Sequence, residues 1–543
     1  MTPLRSLALS SLLALAPPLF SDALIEELRG VLLVPSQSDV EKGGAESVEG
    51  FHARGMEIPG GDQKMNQELA PEFLGQPLTK EALLDLKRKI LQYYRDEGYP
   101  VVIVEIPEQD LSSGVLQLVV VESRLGNLKV RGNKWFFDSF YENKFELAPG
   151  EPIHAPTLLN DIAWLNRNPF QNASAVFSPG TSRETTDIDV AVKDAFPFRV
   201  YAGGDNTGNS STHYTRFFTG INWGYAFLLN QILTYQYTSS FNFTSFWAHT
   251  LNYTVLFPWK HSLVLYGGLS GVNPEFDDFA GSGHSYQASL RYQIPFSPLY
   301  TPFSHELTFG FDFKRTNNNI NYVPEENLEV IGSQVNLFQF NLQYSLAKSW
   351  EKNEVHFMIE GFGSPGHWFP DQSNADYSDL SYGSKNAYIY AKSSLSYLYY
   401  LPMDFSLLWF LRGQGSTANL LPSEQMGVGG YDTVRGYDER ILNLDNAVVF
   451  NFEIKSPQIS GFLHEKNYHD QIQFLAFFDY GGGNHVKQVP GMSQWQQIYS
   501  VGPGARYQIK NYVSFRCDWG IQLKKAPFSG VDNRVHMVLL VSY

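Results

Sequence analysis

The stretch "NLFQFNLQYSL", residues 336–346, places Phe338, Phe340, Leu342, Tyr344 and Leu346 on one face and Gln339, Asn341, Gln343 and Ser345 on the other. A period of two marks a β-strand whose faces meet different surroundings. The pattern recurs nearby. In "QILTYQYTS" (231–239), Leu233, Tyr235 and Tyr237 oppose Thr234, Gln236 and Thr238. In "HTLNYTVLF" (249–257), Leu251, Tyr253 and Val255 oppose Thr250, Asn252 and Thr254. From Phe198 onward this alternation predicts about sixteen strands of roughly 10–15 residues. Tight connections such as "FPWKHS" and "QIKNYVS" alternate with longer ones such as "GVNPEFDDFAGSGH" (271–284). That asymmetry belongs to a transmembrane antiparallel β-barrel with short periplasmic turns and longer external loops. In lipid an open sheet edge would strand backbone groups, so the sheet must close. Sixteen strands leave a lumen wide enough for water, and the inward Thr, Asn and Gln faces make it wet.

The chain before Phe198 is different material. Residues 1–197 hold 28 Asp and Glu, 18 Lys and Arg, and 16 aromatic residues; residues 198–543 hold 27, 22 and 65. A charge-rich soluble module therefore precedes an aromatic-rich one. The net charge of −15 argues against nucleic acid as a partner. Arg5, the apolar run Leu7–Ala16 and Ser21-Asp22-Ala23 predict a signal peptide over residues 1–23. No stretch of 18 apolar residues predicts a transmembrane helix. The lone Cys517 excludes an intrachain disulfide and a cysteine metal cluster.

Residues 24–50 open with "LIEELRGVLLV" (24–34), which fits a short helix or an added strand; "PSQSDVEKGGAESVEG" (35–50) reads as a polar linker. Over 51–123, Thr79 caps a helix with Leu83, Leu86, Ile90 and Tyr94 on one face, and Gly98 ends it. "VVIVEI" and "GVLQLVVV" then read as strands. Over 124–197 the order recurs: "GNLKVRG", a helix from Thr157 to Leu165, then "NASAVFSPG" and "TDIDVAV". Two α+β units of about 75 residues in β-α-α-β-β order form a tandem repeat.

"GGYDTVRGYDER", residues 429–440, interrupts the barrel pattern in the sixth external loop, between the eleventh and twelfth strands. Gly429, Gly430 and Gly436 supply the tight backbone that an inward-folding hairpin needs, around Val434, Arg435 and Tyr437. "FFDYGGG" (477–483) ends the thirteenth strand with Phe477, Asp479 and Gly481 in alternate positions. A loop folded into the lumen would bring Arg435 to Asp479, and a guanidinium suits bidentate pairing with a carboxylate. A solvated loop arginine is the plain alternative.

The "VRGY" of Val434–Tyr437 and the F-x-D-x-G of Phe477–Gly481 resemble the hallmark motifs of the POTRA-barrel superfamily of outer-membrane proteins. The two repeats resemble paired POTRA domains. "LNRNPF…FSPG" (165–180) is similar to the second POTRA of the two-partner secretion transporters, the hemolysin secretion/activation family. The resemblance covers essentially the whole mature chain. It implies periplasmic POTRA domains at 51–123 and 124–197, and an outer-membrane barrel at 198–543. It further implies a pore that captures an unfolded exoprotein in extended form and passes it to the cell surface without nucleotide hydrolysis. Arg435 would hold the sixth loop to Asp479 and stabilise the conducting wall. Family members carry a pore-plugging N-terminal helix, for which Leu24–Val34 is the candidate. The terminal "VHMVLLVSY" (535–543) resembles the signal read by the barrel assembly machinery, so that machinery and outer-membrane lipids join the exoprotein as implied partners. The alternative is a barrel insertase; a passive porin accounts for the barrel but not for the repeats.

Motifs for chemistry are weak. "HEKNYH" (464–469) spaces its histidines five apart, which puts them on different helix faces, so no metal is expected. "GVGGYD" (427–432) lacks the third glycine and following helix of a dinucleotide site. No G-x-S-x-G is present. The chain reads as a protein without enzymatic activity or cofactor.

Overall fold

The computed structural model describes residues 23–45, 47–182, 184–276, 279–296, 298–322, 328–461, 463, 469–526 and 531–543. The expected signal peptide, apart from its last residue, and His464–Lys466 with Asn467 and Tyr468 lie outside the described residues. The chain forms two compact units. Among the described residues, one comprises those up to Arg131 with Phe145–Asp161 and Ser174–Ala191; the other comprises those of Gly132–Lys144, Ile162–Ala173 and Val192–Tyr543.

In the first unit, strands β1 (Gly30–Val34), β2 (Gly50–Ala53), β3 (Val102–Glu105) and β4 (Val115–Glu122) form a sheet in the order β2-β1-β4-β3. Helices α1 (Asp62–Phe73) and α2 (Lys80–Asp96) cover one face. Thr79 caps α2 through the Ala82 N–H, and Leu83, Leu86, Ile90 and Tyr94 are buried. Of the two readings of Leu24–Val34, the structure shows the strand: Gly30–Val34 runs parallel to both β2 and β4. Its apolar run is continuous because both faces are covered, as in other internal parallel strands. Leu28, Val31 and Leu33 meet the helices; Leu32 and Val34 pack with Ala45 on the far side.

Residues 35–50, whose composition is that of a polar linker, in fact cover that far face. The Glu41 N–H donates to Gln117 Oε1 (2.9 Å) and Gln117 Nε2 donates back to the Glu41 carbonyl (2.8 Å). Gln117 is fully buried within an apolar strand, and these bonds satisfy it.

The second repeat contains β5 (Arg124–Arg131), α3 (Asp138–Glu142), α4 (Ala155–Leu165), β6 (Ala173–Pro179) and β7 (Thr185–Val192). Its sheet runs β5-β7-β6, with β5 parallel to β7. The helix begins two residues before the Thr157 that the apolar spacing indicated.

Sixteen long antiparallel strands close the barrel. Those that matter below are strands 1 (Phe198–Asp205), 2 (Arg216–Trp223), 3 (Gln231–Ser240), 7 (Phe303–Tyr322), 8 (Leu328–Ser349), 10 (Ala387–Tyr400) and 11 (Ser406–Ser416). With them belong strands 12 (Asn446–Lys455), 13 (Asp470–Asn484), 14 (Gln496–Ile509), 15 (Val513–Gln522) and 16 (Asn533–Ser542). Strand 16 returns to strand 1, from Val538 opposite Asp205 to Ser542 opposite Tyr201. Strand lengths run from 8 residues in strand 1 to 22 in strand 8, a wider range than the alternation predicts. Much of "GVNPEFDDFAGSGH", expected as loop, is ladder: Gly281–Gly283 belong to a strand running Phe279–Pro295.

The alternation has the expected sense. Phe340 and Leu342 are exposed on the outer face, whereas Gln339 and Asn341 are buried inside. Gln339 Nε2 donates to Asp312 and Asn341 Nδ2 to Glu360 on neighbouring inner walls. Leu342→Arg should impair assembly by about 2–4 kcal/mol near the bilayer midplane. Gln343→Arg, which enters the lumen opposite Glu360, should assemble normally. Heat-modifiable gel mobility checks the pair; equal folding of both would reverse the assigned faces.

Candidate functional site

Loop six leaves strand 11 at Ser416 and enters strand 12 at Asn446, and on the way it lies inside the barrel. Backbone geometry comes first. Gly429, Gly430 and Gly436 adopt φ of 106°, 107° and 94°, a region closed to most side chains. The Gly429 N–H donates to Thr433 Oγ1 (2.9 Å) and the Gly430 N–H to the Val434 carbonyl (3.0 Å), forming a compact hairpin tip.

Arg435 projects from that tip into a nest of acceptors. Its Nε donates to Asp479 Oδ2 (2.7 Å) and one terminal nitrogen to Oδ1 (2.8 Å), the bidentate fork. The other terminal nitrogen donates to Glu453 Oε1 (2.7 Å) and lies 3.8 Å from Asp518. The Arg435 N–H itself donates to Asp479 (3.1 Å). Beneath, the guanidinium carbon sits 3.5 Å from the Phe477 ring centroid, a cation–π contact. Burial opposes the charge on Arg435, but Asp479, then Glu453 and Asp518, outweigh it and raise its pKa above the usual guanidinium value.

The three alternate residues of strand 13 thus divide the work. Phe477 supports the cation from below and Asp479 binds it. Gly481 leaves room: a side chain there would strike Val428 and Val434 (Val434 Cγ2 at 2.8 Å). Tyr437 is fully buried, and its hydroxyl donates toward the carbonyls of Tyr499 (2.9 Å) and Lys524.

Several partners are not part of either motif. Asn451 donates to Asp479 Oδ1 (2.8 Å) and to the Thr433 carbonyl. Gly520 faces Gly436 so closely that a methyl group there would collide with the loop backbone. The Gly436 peptide is held on both sides: its N–H donates to His536 Nε2 (3.0 Å), and Gln522 Nε2 donates to its carbonyl (2.7 Å). Asp518 also accepts from Arg506 (2.8 Å) and Arg516 (2.6 Å). A signal for these existed: Arg516, Asp518, Gly520 and Gln522 alternate along strand 15 and share its inner face.

The loop has a second attachment, on another stretch of the wall. Glu424 accepts from Lys314 Nζ (2.7 Å) on strand 7, Gln339 Nε2 (2.9 Å) on strand 8 and the Tyr390 hydroxyl (2.7 Å) on strand 10. Leu420 and Leu421 join a cluster with Tyr377 of the loop-five helix α5 (Asn374–Leu380) and with Leu337 and Tyr390 of the wall. Loop six therefore bridges strands 7, 8 and 10 to strands 12, 13 and 15.

This arrangement has known counterparts. Residues 184–507, more than half of the chain, match the model of the haemolysin secretion/activation protein family ShlB/FhaC/HecB. The chain belongs to this family. Residues 51–123 match the ShlB-type POTRA domain. The heme/hemopexin transporter protein HuxB of Haemophilus influenzae (strain 86-028NP) is 20% identical over 453 residues, covering 80% of this chain and 76% of the relative. The outer membrane transporter CdiB of Dickeya dadantii (strain 3937) is 23% identical over 417 residues, covering 72% and 69%. The solved structure of CdiB from Escherichia coli superimposes with a TM-score of 0.77 at 16% identity, covering 98% of this chain and 93% of that one. The chain is thus a two-partner secretion transporter of the outer membrane, its POTRA domains in the periplasm and a secreted protein as its partner.

Removing one member of a buried ion pair strands the other at a cost of about 3–5 kcal/mol. Arg435→Ala and Asp479→Ala should each release the loop tip, and the double variant should be no worse than either, because coupled residues do not add. Gly520→Val should release it without touching a charge. Protease cleavage within residues 429–440 of the folded barrel reads all four; wild-type resistance in Gly520→Val would contradict the close backbone approach.

Proposed function

We propose that this transporter captures its partner as an unfolded, extended chain in the periplasm and passes it through the barrel without nucleotide hydrolysis. The observation that carries this reading is the edge strand β6. Among the described residues it pairs only with β7, and it exposes Val176 and Phe177 beside its free edge. An open edge offers unpaired N–H and C=O groups to any extended polypeptide, and adjacent apolar side chains add preference. In the first sheet the β2 edge is already occupied: Asn66 donates to the Phe51 carbonyl and accepts its N–H, both at 2.8 Å. A chain that folds outside the cell cannot readily return, so folding supplies direction.

Passage requires loop six to give way on one side. The two attachments differ in kind. Arg435 engages one carboxylate bidentately, a second carboxylate and an aromatic face; Glu424 is held by one lysine, one amide and one phenol. Charge-assisted bidentate bonds are the stronger class. In this reading the Glu424 side releases while Arg435 keeps the loop against strands 12–15 as part of the conducting wall. The outward apolar face meets outer-membrane lipids, and strand 16, with Val535, Met537, Leu539 and Val541 exposed, is the handle for the barrel assembly machinery.

The test is secretion of the cognate protein, normalised to folded barrel. Arg435→Ala should depress release severely, and Arg435→Lys should restore it only in part, lacking the planar fork. Glu424→Gln should raise ion conductance in planar bilayers while secretion persists. Val176→Asp with Phe177→Asp should weaken binding of the unfolded partner segment to the full-length protein. Normal secretion by Arg435→Ala, or unchanged binding by the β6 variant, would overturn the corresponding half of the proposal.

A further inference from the structure

The lipid-facing surface of the barrel does not stop where strand 1 begins. Phe198 and Val200 are exposed on its outer face, and Phe196, of the same parity, is 56% exposed just below them. Trp135 meets Phe196 edge-on with ring centroids 4.9 Å apart. Trp135 is itself 49% exposed and the neighbouring Phe137 is 67% exposed. The turn joining strands 2 and 3 adds Phe227, Leu228 and Leu229, all exposed. Phe227 lies 5.3 Å from Trp223, and Trp223 stands opposite Phe198 at the foot of the barrel.

These side chains are held out by a rigid base. The Asp194 carboxylate accepts the N–H groups of Lys134 (2.8 Å), Trp135 (2.9 Å) and Phe136 (3.1 Å). Asn133 Nδ2 donates to the Phe136 carbonyl (2.8 Å) and to Asp138 (2.6 Å). Phe136 points the other way, is buried, and packs on Tyr225 with centroids 4.5 Å apart. In the turn, Phe227 and Leu228 take φ of 55° and 60°, a conformation unusual for bulky residues. Tyr225 and Ala226 are buried while the next three residues are exposed.

A fixed cluster of large apolar side chains facing water marks an interaction surface. Its continuity with the outer face of strands 1 and 2 says which. We propose that Trp135, Phe137, Phe196 and the 227–229 turn sit in the periplasmic leaflet of the outer membrane, at the boundary between headgroups and acyl chains. Strand 1 enters from the periplasmic side, so its foot lies at that leaflet. Trp, with an apolar body and a polar N–H, favours that depth and Phe its acyl side, and the exposed Lys134 stands at the phosphate level. The segment 133–137 thereby becomes a membrane foot that fixes how the periplasmic end of the barrel is seated, independent of what the pore transports.

The test uses the full-length protein in vesicles of phosphatidylcholine and phosphatidylglycerol, with part of the phosphatidylcholine brominated on acyl carbons near the headgroup. The emission of wild type minus that of Trp135→Phe isolates Trp135. It should lose most of its intensity to the brominated lipid and little to aqueous acrylamide. In the Trp135→Phe background, Phe137→Trp should introduce emission with the same behaviour, so the result does not rest on one variant. Full acrylamide quenching with none from brominated lipid would overturn the proposal. So would an acrylamide-accessible Trp135 that becomes shielded when an unfolded partner segment is added, which would make the cluster a polypeptide-binding face.

Discussion

In hydrocarbon a backbone N–H or C=O without a partner costs several kcal/mol, so a sheet that enters lipid must close on itself. That constraint brings Val538–Ser542 of the last strand back to Tyr201–Asp205 of the first. Closure separates two faces along every strand and sends one of them to a shared interior. Only because that interior exists can residues as distant as Lys314 and Asp518 contribute to one compartment, and only there can a loop be pinned from both sides. The soluble repeats obey the complementary rule. Their sheets stay open, and each edge is either occupied, as Asn66 occupies β2, or left available, as at β6.

The charge placed in that interior is balanced locally. Arg435 is nearly inaccessible to water, and three carboxylates surround it. Two of the three are shared: Glu453 with Lys455, and Asp518 with Arg506 and Arg516. No member of the network is buried alone, which is the condition under which buried ions persist. The aromatic and glycine positions of strand 13 are the steric half of the same arrangement, with Phe477 under the cation and Gly481 under Val434. Glu424 draws its partners from a different set of strands. The loop is thus held at two places by chemically different sets of partners.

Much of this was legible in the residues. Period-two alternation located the strands, because a side chain that must face lipid or water cannot be exchanged with its neighbour without a register slip. The loop-six glycines and the alternate Phe477, Asp479 and Gly481 announced a close approach, since both are requirements of local backbone and parity. The segment 24–34 was ambiguous for an equally local reason: a short apolar run covered on both faces has no periodicity to read. Its cover, residues 35–48, looked like a linker because only a few of its side chains are apolar, and its main hold on the sheet is an exchange of hydrogen bonds with Gln117.

By itself, then, the sequence determined the barrel strands and the tandem repeats, which follow from spacing along single elements; it offered the pairing of Arg435 with Asp479 beside a solvated arginine, and the folded loop decided for the pairing. Tertiary structure alone decided the rest: Glu453, Asn451 and Asp518 around Arg435, Gly520 against Gly436, and Glu424 against strands 7, 8 and 10. It alone also set Trp135 against Phe196, 61 positions later in the chain. The physical reason is that these contacts join residues whose separation in sequence carries no period. Their distances are fixed only once closure sets the width of the lumen and the position of each strand around it.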